Sequence, residues 1–305
     1  MASPSLHISE EQVWKTLQPV PLVDALERSL LDWKEGKACN HPRARAVLGK
    51  HVLHSLSAIS ESLDRAACKT YLSGPNGVRF VTSLFELSSN RLLATVDSDR
   101  LGQLRTGAAT AVAVRHLACP SLDLALLGAG SVARGQLEVL AACFRPRLRS
   151  VRCWSPRRAQ ELADWASDQL GLAVTVAASA EEAVRPANLI ITATSSAKPI
   201  LQGTWLGPQG LLCAVGANWA HRREIDAAAA LRCQWWVDDL VQARVEAGDF
   251  LKVPEFDWAS VQSFPALLGR REVRDSGWLG FQSLGLGLED LVAAALVYRA
   301  TTGLP

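Results

Sequence analysis

The run Leu122–Ala133, LDLALLGAGSVA, carries the clearest chemistry in the chain. Leu122, Leu124, Ala125, Leu126 and Leu127 read as a buried strand. It leads directly into Gly128-Ala129-Gly130-Ser131-Val132-Ala133, the G-x-G-x-x-A form of the dinucleotide fingerprint. Gly128 permits a tight turn, Gly130 lets a pyrophosphate approach the backbone, and Ala133 lets the next helix pack close to the strand. Residues 134–144 have a helical pattern, with Leu137, Leu140 and Ala141 on one face. The N-terminus of such a helix presents bare N–H groups and a positive dipole end to phosphate. Strand, glycines and helix follow in the order the mechanism requires.

Which dinucleotide is bound depends on the end of the second strand. An acid there accepts from a ribose 2′-hydroxyl, whereas an arginine accommodates a 2′-phosphate. The segment VRCWSPRRAQ places Ser155 at the tip, followed by Arg157 and Arg158, with no acid before Glu161. Guanidinium groups can hold a phosphate through paired hydrogen bonds, so NADP(H) is expected in preference to NAD(H). An arginine at a helix start opposes the helix dipole, which also favours a functional reading.

Three other basic residues occupy unusual contexts. Arg45 lies inside the β-like run PRARAVL, Lys69 inside AACKTYL, and Arg105 opens a helix that is otherwise almost wholly apolar. Each alone reads as a surface charge. Together, in the part of the chain that precedes the nucleotide fingerprint, they suggest an anion pocket for a carboxylate.

Residues 8–36 read as helical, with Ser9 as N-cap and acids in the first turn. His41-Pro42 breaks that pattern. Short β-like runs follow at 43–48, 66–72, 78–87 and 92–96, the layout of an antiparallel layer. A long alanine-rich helix over 103–118 is closed by Pro120. From Ser121 the rhythm is βαβ, with strands at 150–154, 173–177, 189–194, 210–215 and 234–238. This predicts an α/β protein: a doubly wound parallel Rossmann sheet over 120–279, inserted in a second, α+β domain formed by 1–119 and 280–305. Residues 258–274 read as partly helical, and the Gly-rich SGWLGFQSLGLGLED as an approach to a closing helix.

Composition narrows the class. The 305 residues are 49% hydrophobic and 20% charged with net charge +2, an ordinary globular balance without the basic block that nucleic acid would call for. The N-terminus has no charged-then-apolar leader pattern, and no apolar run reaches membrane length. The seven cysteines are scattered, none in C-x-x-C, as expected of reduced thiols in a cytoplasmic protein. The six histidines show no ligand spacing, so no metal site is expected.

The segment DSDRLGQLRTGAATAVAVRHLA resembles the arginine–threonine–(Gly/Ala)–Ala signature of the ornithine cyclodeaminase and mu-crystallin family. The likeness extends through GAGSVARGQL, Thr192-Ala193-Thr194-Ser195, VGANWAHRREID with Glu224 and Asp226, WVDD at 236–239 and FQSLGLGLEDLVAAALVY, nearly the whole chain in order. The resemblance implies a two-domain, dimeric enzyme of amino-acid metabolism, with 1–119 and 280–305 as its substrate and dimerisation domain, in a family of cyclodeaminases, alanine dehydrogenases and reductases of cyclic ketimines. By motif match, Arg45, Lys69 and Arg105 correspond to substrate-carboxylate residues, and Thr82 to a substrate-side threonine in a stretch that is shortened here. Thr106, Thr192, Ala193, Thr194, Ser195, Val215 and Gly216 join the fingerprint as cofactor contacts.

Two residues depart from the family pattern. Val132 stands where glutamine is frequent, a change of packing more than of binding. Asn218 stands where cyclodeaminases carry an aspartate. An amide can orient a substrate or a water but cannot act as a general base. This argues against redox-neutral ammonia elimination and for net reduction or oxidation. The expectation is therefore an NADPH-dependent reductase of a small α-imino carboxylate, cyclic by preference, such as a Δ1-pyrroline-2-carboxylate or piperideine-2-carboxylate. Arg45 and Arg105 would clamp the carboxylate, with Lys69 beside the imine. An amino-acid dehydrogenase, an oxidoreductase forming N-substituted amino acids, a cyclodeaminase and a non-catalytic nucleotide binder remain as alternatives.

Overall fold

The computed structural model describes residues 5–268 and 277–304. The chain forms two compact units, Met1–Arg105 with Gly285–Pro305, and Thr106–Leu284.

The first unit begins with strand β1 (Leu6–Ile8), helix α1 (Glu10–Thr16) and helix α2 (Pro19–Lys34). The expected single helix over 8–36 is thus a strand and two helices. The break has a local cause, because Pro19 starts α2 and holds Gln18 extended at φ −102°, ψ 138°. Ser9 caps α1 as expected, in a reciprocal box with Gln12. Strands β2 (Ala38–Leu48), β3 (His51–Ser60), β4 (Arg65–Gly74), β5 (Gly77–Glu86) and β6 (Arg91–Asp97) then form an antiparallel meander, with β1 added parallel to β6. Strand β3 was not anticipated. It pairs with β2 across a two-residue turn at Gly49-Lys50, with Gly49 at φ +58°. Helix α3 (Asp99–Leu117) starts four residues earlier than its apolar pattern suggests, with Glu10 accepting the amides of Asp99 and Arg100.

The second unit holds β7 (Leu122–Leu127), α4 (Ser131–Phe144), β8 (Leu148–Trp154), α5 (Ala159–Leu170), β9 (Thr175–Val176), α6 (Ala180–Val184), β10 (Leu189–Thr192), β11 (Gln209–Ala214), α7 (Ala227–Arg232), β12 (Cys233–Val237), α8 (Leu240–Glu246), α9 (Gly248–Leu251), β13 (Gln262–Ser263), α10 (Phe264–Leu267) and β14 (Gly277–Gln282). The eight strands form one parallel sheet in the order β13-β12-β14-β11-β10-β7-β8-β9. The order reverses between β7 and β10, so the Gly128 turn lies at the topological switch point where ligands bind such sheets. The Gly-rich approach at 277–282 is in fact β14, a central strand between β11 and β12. Its Gly280 is there for packing, since a Cβ would lie 2.3 Å from the Trp235 ring. Of the helical expectation for 258–274, Phe264–Leu267 is helical and 269–274 fall outside the described residues.

Helix α11 (Gly287–Thr302) returns to the first unit and lies across one face of β2–β5, with α1 and α2 against it. Leu22, Leu26 and Leu30 of α2, Leu56, Leu84 and Val96 of the sheet, and Leu288, Leu291 and Val297 of α11 are fully buried there. No helix of the described residues is long and apolar enough to cross a membrane.

Candidate active site

In the first unit, the sheet face beneath α11 carries two cross-strand rows. Arg45, His54, Tyr71 and Phe80 stand opposite one another on β2–β5, and Leu56, Lys69, Thr82 and Val96 on β3–β6. Alternation along each strand puts both rows on one face. Lys69 is almost completely buried, and its Nζ donates to Asp290 Oδ1 at 3.0 Å. Arg105 Nε donates to the same oxygen at 3.1 Å, while its Nη1 donates to Glu289 at 2.6 Å. Lys69 and Arg105 are therefore brought together around an acidic pair at the start of α11.

Glycine makes room for this arrangement. A Cβ on Gly285, at φ +88°, would lie 2.6 Å from the Arg105 guanidinium, and one on Gly287 would lie 2.7 Å from the Ser57 backbone. The LGLGLED segment thus admits a guanidinium, abuts β3, and then supplies two carboxylates.

Burial pulls the Lys69 ammonium below its ordinary range, with Arg105 and Arg43 adding to the effect and Asp290 opposing it. Burial acts in the same sense on Arg105, but Asp290 and Glu289 outweigh it and leave the guanidinium more firmly protonated. Burial raises Glu289 above the usual carboxylate range; Arg105 opposes this and Asp290 adds to it. The Lys69 ammonium lies 5.0 Å from the Phe80 ring centroid.

Arg45 is placed differently from Lys69 and Arg105. Its Nε donates to His54 Nδ1 at 3.2 Å, and His54 stacks on Tyr71 with centroids 4.1 Å apart. Burial, with the charges of Arg45 and Arg43, pushes His54 down to about 4, so its ring is a neutral acceptor at neutral pH. Arg43 reaches the Gly285 carbonyl at 3.4 Å. Thr82 is opposite Lys69, and its hydroxyl oxygen accepts from Ser98 at 2.8 Å.

Glu289, Asp290, Arg43 and His54 were not singled out from sequence. The first two carried a signal, as adjacent acids opening an apolar helix. Acids in a first turn are, however, the ordinary complement of a helix dipole.

The second unit places the residues expected to contact a nucleotide at the carboxyl ends of its strands. Gly128 has φ +124°, and a Cβ there would lie 2.3 Å from the Ala193 carbonyl oxygen. Its N–H donates to the Trp154 carbonyl at the end of β8. Gly130 caps α4 without a side-chain hydrogen bond, and among the described residues nothing beyond the local backbone lies within 4 Å of where its Cβ would be. Ala129 and Ala133 are buried, Val132 is half-buried and Ser131 is exposed. The turn thus leaves an open approach to the amides of a 14-residue helix, which fits a dinucleotide pyrophosphate.

Close by in sequence, Thr106 is buried on α3. A Cβ on the adjacent Gly107 would lie 2.6 Å from the Gly135 carbonyl of α4. Beyond β8, Ser155 is half-buried, and Arg157 and Arg158 are exposed, with Arg158 paired to Glu161 at 2.9 Å. Thr192, which ends β10, and Ala193 are buried, Thr194 is half-buried, and Ser195 is exposed. Val215 donates to the Thr192 carbonyl at 2.9 Å, and Gly216 and Asn218 are half-buried after it. Glu224, seen from sequence only as part of a motif, is fully buried at these strand ends.

A family model described as the ornithine cyclodeaminase/mu-crystallin family matches residues 6–303. The ketimine reductase mu-crystallin of Rattus norvegicus is 31% identical over 290 residues, 91% of each chain. A Δ1-pyrroline-2-carboxylate/Δ1-piperideine-2-carboxylate reductase of Azospirillum brasilense is 29% identical over 91% of this chain and 94% of its own. An archaeal alanine dehydrogenase, solved as a dimer with bound NAD, superposes with TM-score 0.89 at 25% identity, covering 98% of this chain and 96% of its own. With the fingerprint turn at the switch point of its sheet, the basic cluster under α11 and this match from end to end, the chain belongs to the ornithine cyclodeaminase/mu-crystallin family.

Proposed function

We propose that the protein is an NAD(P)H-dependent reductase of a small α-imino carboxylate, a cyclic ketimine of the Δ1-pyrroline-2-carboxylate or piperideine-2-carboxylate type, with NADPH preferred. The observation that carries this is the buried Lys69 ammonium, held by Asp290 and with its proton affinity lowered. Reducing a C=N bond needs a hydride at carbon and a proton at nitrogen. The nicotinamide supplies the hydride. Lys69 gives up a proton more readily than an ordinary lysine and is the proton donor. Arg105 and Arg45 hold the substrate carboxylate, Arg105 with its guanidinium fixed by Glu289 and Asp290. Among the described residues nothing donates to Asp290 Oδ2, which leaves an acceptor for an iminium N–H. Asn218 supplies an amide and no base. Relatives named as reductases of ketimines and of Δ1-pyrroline-2-carboxylate support the same chemistry.

The cofactor residues are Gly128–Ala133, Thr106, Thr192–Ser195, Val215 and Gly216, with Ser155, Arg157 and Arg158 toward a 2′-phosphate. The protein acts as a homodimer in the cytoplasm. Support for the dimer comes from the sheet face away from α11, where Leu53, Leu72, Ile59, Phe85 and Leu92 are exposed between 36% and 51%. The seven cysteines are free thiols, in keeping with a reducing compartment.

The test is NADPH consumption, followed at the reduced-nicotinamide band, with a panel of five- and six-membered cyclic ketimine acids. Imine-dependent oxidation of NADPH is expected. Ammonia release from a diamino acid without net nucleotide turnover would transfer the protein to the cyclodeaminases. Amino-acid-dependent reduction of NADP+ with no imine turnover would make it a dehydrogenase of open-chain substrates.

A further inference from the structure

Glu224 follows β11 in the chain, and both of its carboxylate oxygens are fully used. Oε2 accepts from the Thr192 hydroxyl at 2.9 Å and the Gly216 N–H at 2.8 Å. Oε1 accepts from the Thr194 N–H and the Thr194 hydroxyl, both at 2.6 Å. These donors sit on the two chain segments that leave β10 and β11 at the carboxyl edge of the sheet. The fingerprint turn is built against the first of them: the Ala193 N–H donates to the Leu127 carbonyl at 2.8 Å, and the Ala193 carbonyl fills the space a Cβ on Gly128 would need. Gly216 is fixed equally tightly, since a Cβ there would lie 2.3 Å from the Thr194 carbonyl oxygen and 2.5 Å from Glu224 Oε1.

The backbone that carries Glu224 is itself anchored. Its N–H and that of Ile225 donate to Asp249 Oδ1 of α9 at 2.7 and 3.0 Å, and its carbonyl accepts from Ile200 and Leu201. None of the four donors to the Glu224 carboxylate is a cation. A carboxylate buried on neutral donors alone is a poor way to gain stability, because desolvation is not repaid by a counter-charge. Its product is geometric, since one rigid group ties together the segments after β10 and β11, on the first of which the Gly128 turn rests.

We propose that Glu224 is a positioning residue for the nicotinamide nucleotide, its ionised carboxylate setting the shape of residues 192–195 and 215–216 so that the Gly128 turn and its neighbours accept the dinucleotide. The inference rests on the nucleotide reading of that turn. An amide cannot replace the acid. Each oxygen takes one backbone N–H, so the NH2 of a glutamine would face a fixed donor, Thr194 or Gly216, in either orientation. Burial and the neighbouring Asp249 charge push the Glu224 carboxyl up to about 7, against the pull of its bonds from Thr194 and Thr192. Asp249 is raised by burial in turn, opposed by the two amides it accepts and by the charge of Arg223. Glu224 therefore takes up a proton in mildly acidic solution, and the nucleotide site loosens as it does.

The test is direct binding of NADH and NADPH to the whole protein by fluorescence titration, with thermal melting of the nucleotide-free form measured alongside. E224Q is expected to weaken both nucleotides by about tenfold or more at about pH 8. Affinity of the parent for NADH, which lacks the titrating 2′-phosphate, should fall between about pH 8 and pH 6. In E224Q that pH dependence should flatten, a change that loss of stability alone does not produce. T194V removes one hydroxyl donor and keeps the backbone N–H, and it should give a smaller loss with the same pH trend. It and the parent profile carry the test if E224Q does not fold. Parent-like affinity in E224Q, or a parent affinity for NADH that is flat across this range, overturns the role of Glu224. A parent that binds neither nucleotide overturns the cofactor reading instead.

Discussion

Lys69 and Arg105 share one acceptor: Nζ of the first and Nε of the second both donate to Oδ1 of Asp290, at 3.0 and 3.1 Å. Two buried cations thus share one oxygen, with Glu289 as a second acceptor for Arg105 alone. D290N keeps an acceptor but removes the charge, leaving the buried Lys69 without a carboxylate partner and Arg105 with Glu289 alone. A loss of about 3 kcal/mol in folding stability is expected, the scale for breaking a buried pair from one side. Denaturant unfolding measures it. Unchanged stability would mean that the carboxylate is not what holds the two cations.

Arg105→Lys tests the clamp. Arg105 bonds Asp290 and Glu289 through different nitrogens of one plane, and lysine offers only a point charge. The loss in kcat/KM should be on the order of 2–4 kcal/mol, with nucleotide affinity retained. Because the guanidinium is tied to α11, the melting temperature should fall as well. Full turnover on the best ketimine would remove Arg105 from substrate binding.

As the proposed proton donor, Lys69 should set the alkaline side of the pH–rate profile. The donor is active while protonated, and burial lowers its affinity for the proton, so kcat/KM should decline with rising pH before the 10.5 of an ordinary lysine is reached. K69R tests this, because its donor no longer titrates and the alkaline limb should vanish along with most of the rate. A limb that persists in K69R belongs to another group.

The proposed cofactor choice rests on Arg157 and Arg158. Preference for NADPH over NADH of at least about tenfold in KM, roughly 1.4 kcal/mol, is expected. Arg157 should contribute more, since Arg158 is engaged by Glu161. Replacing both by alanine should erase most of the difference, and equal use of the two nucleotides by the parent would count against the assignment.

The exposed sheet face gives a further test. Leu53 and Leu72 stand opposite each other on β3 and β4, 47% and 51% exposed. Lysine at both positions should shift light scattering from a dimer toward the 32.9 kDa of a single chain. A parent that already scatters as a single chain removes the dimer.

The strand–turn–helix of the fingerprint was legible because its signal is local. A strand, glycines and a helix follow one another within residues 122–144, and the turn is built as those residues dictate. The acidic partners of Lys69 and Arg105 were not, because Asp290 and Glu289 lie at the far end of the chain and their pairing is set by tertiary structure. Strand β3 was hidden because its two faces, one under α11 and one carrying Leu53 and Ile59, both bear apolar and small residues, which blurs the period of two. Strand β14 was hidden by Gly277 and Gly280, which read as loop but serve a positive φ and a close Trp235. The residues of the Glu224 clamp were quoted as motif fragments, yet a motif does not say which donors meet which oxygen.

The return of α11 to the first unit also bears on how the chain acquires its structure during synthesis. The second unit is continuous, Thr106–Leu284, and can close as soon as its last strand leaves the ribosome. The meander β2–β6 is translated first but is completed last, because Leu288, Leu291 and Val297 that cover it, and the carboxylates that neutralise Lys69 and Arg105, come after Gly285. For most of translation the sheet waits without α11, and Lys69 on β4 and Arg105 on α3 wait without their carboxylates. Such a nascent chain is a natural client for a holding chaperone, and trimming even the last two dozen residues would strand the sheet in that state permanently.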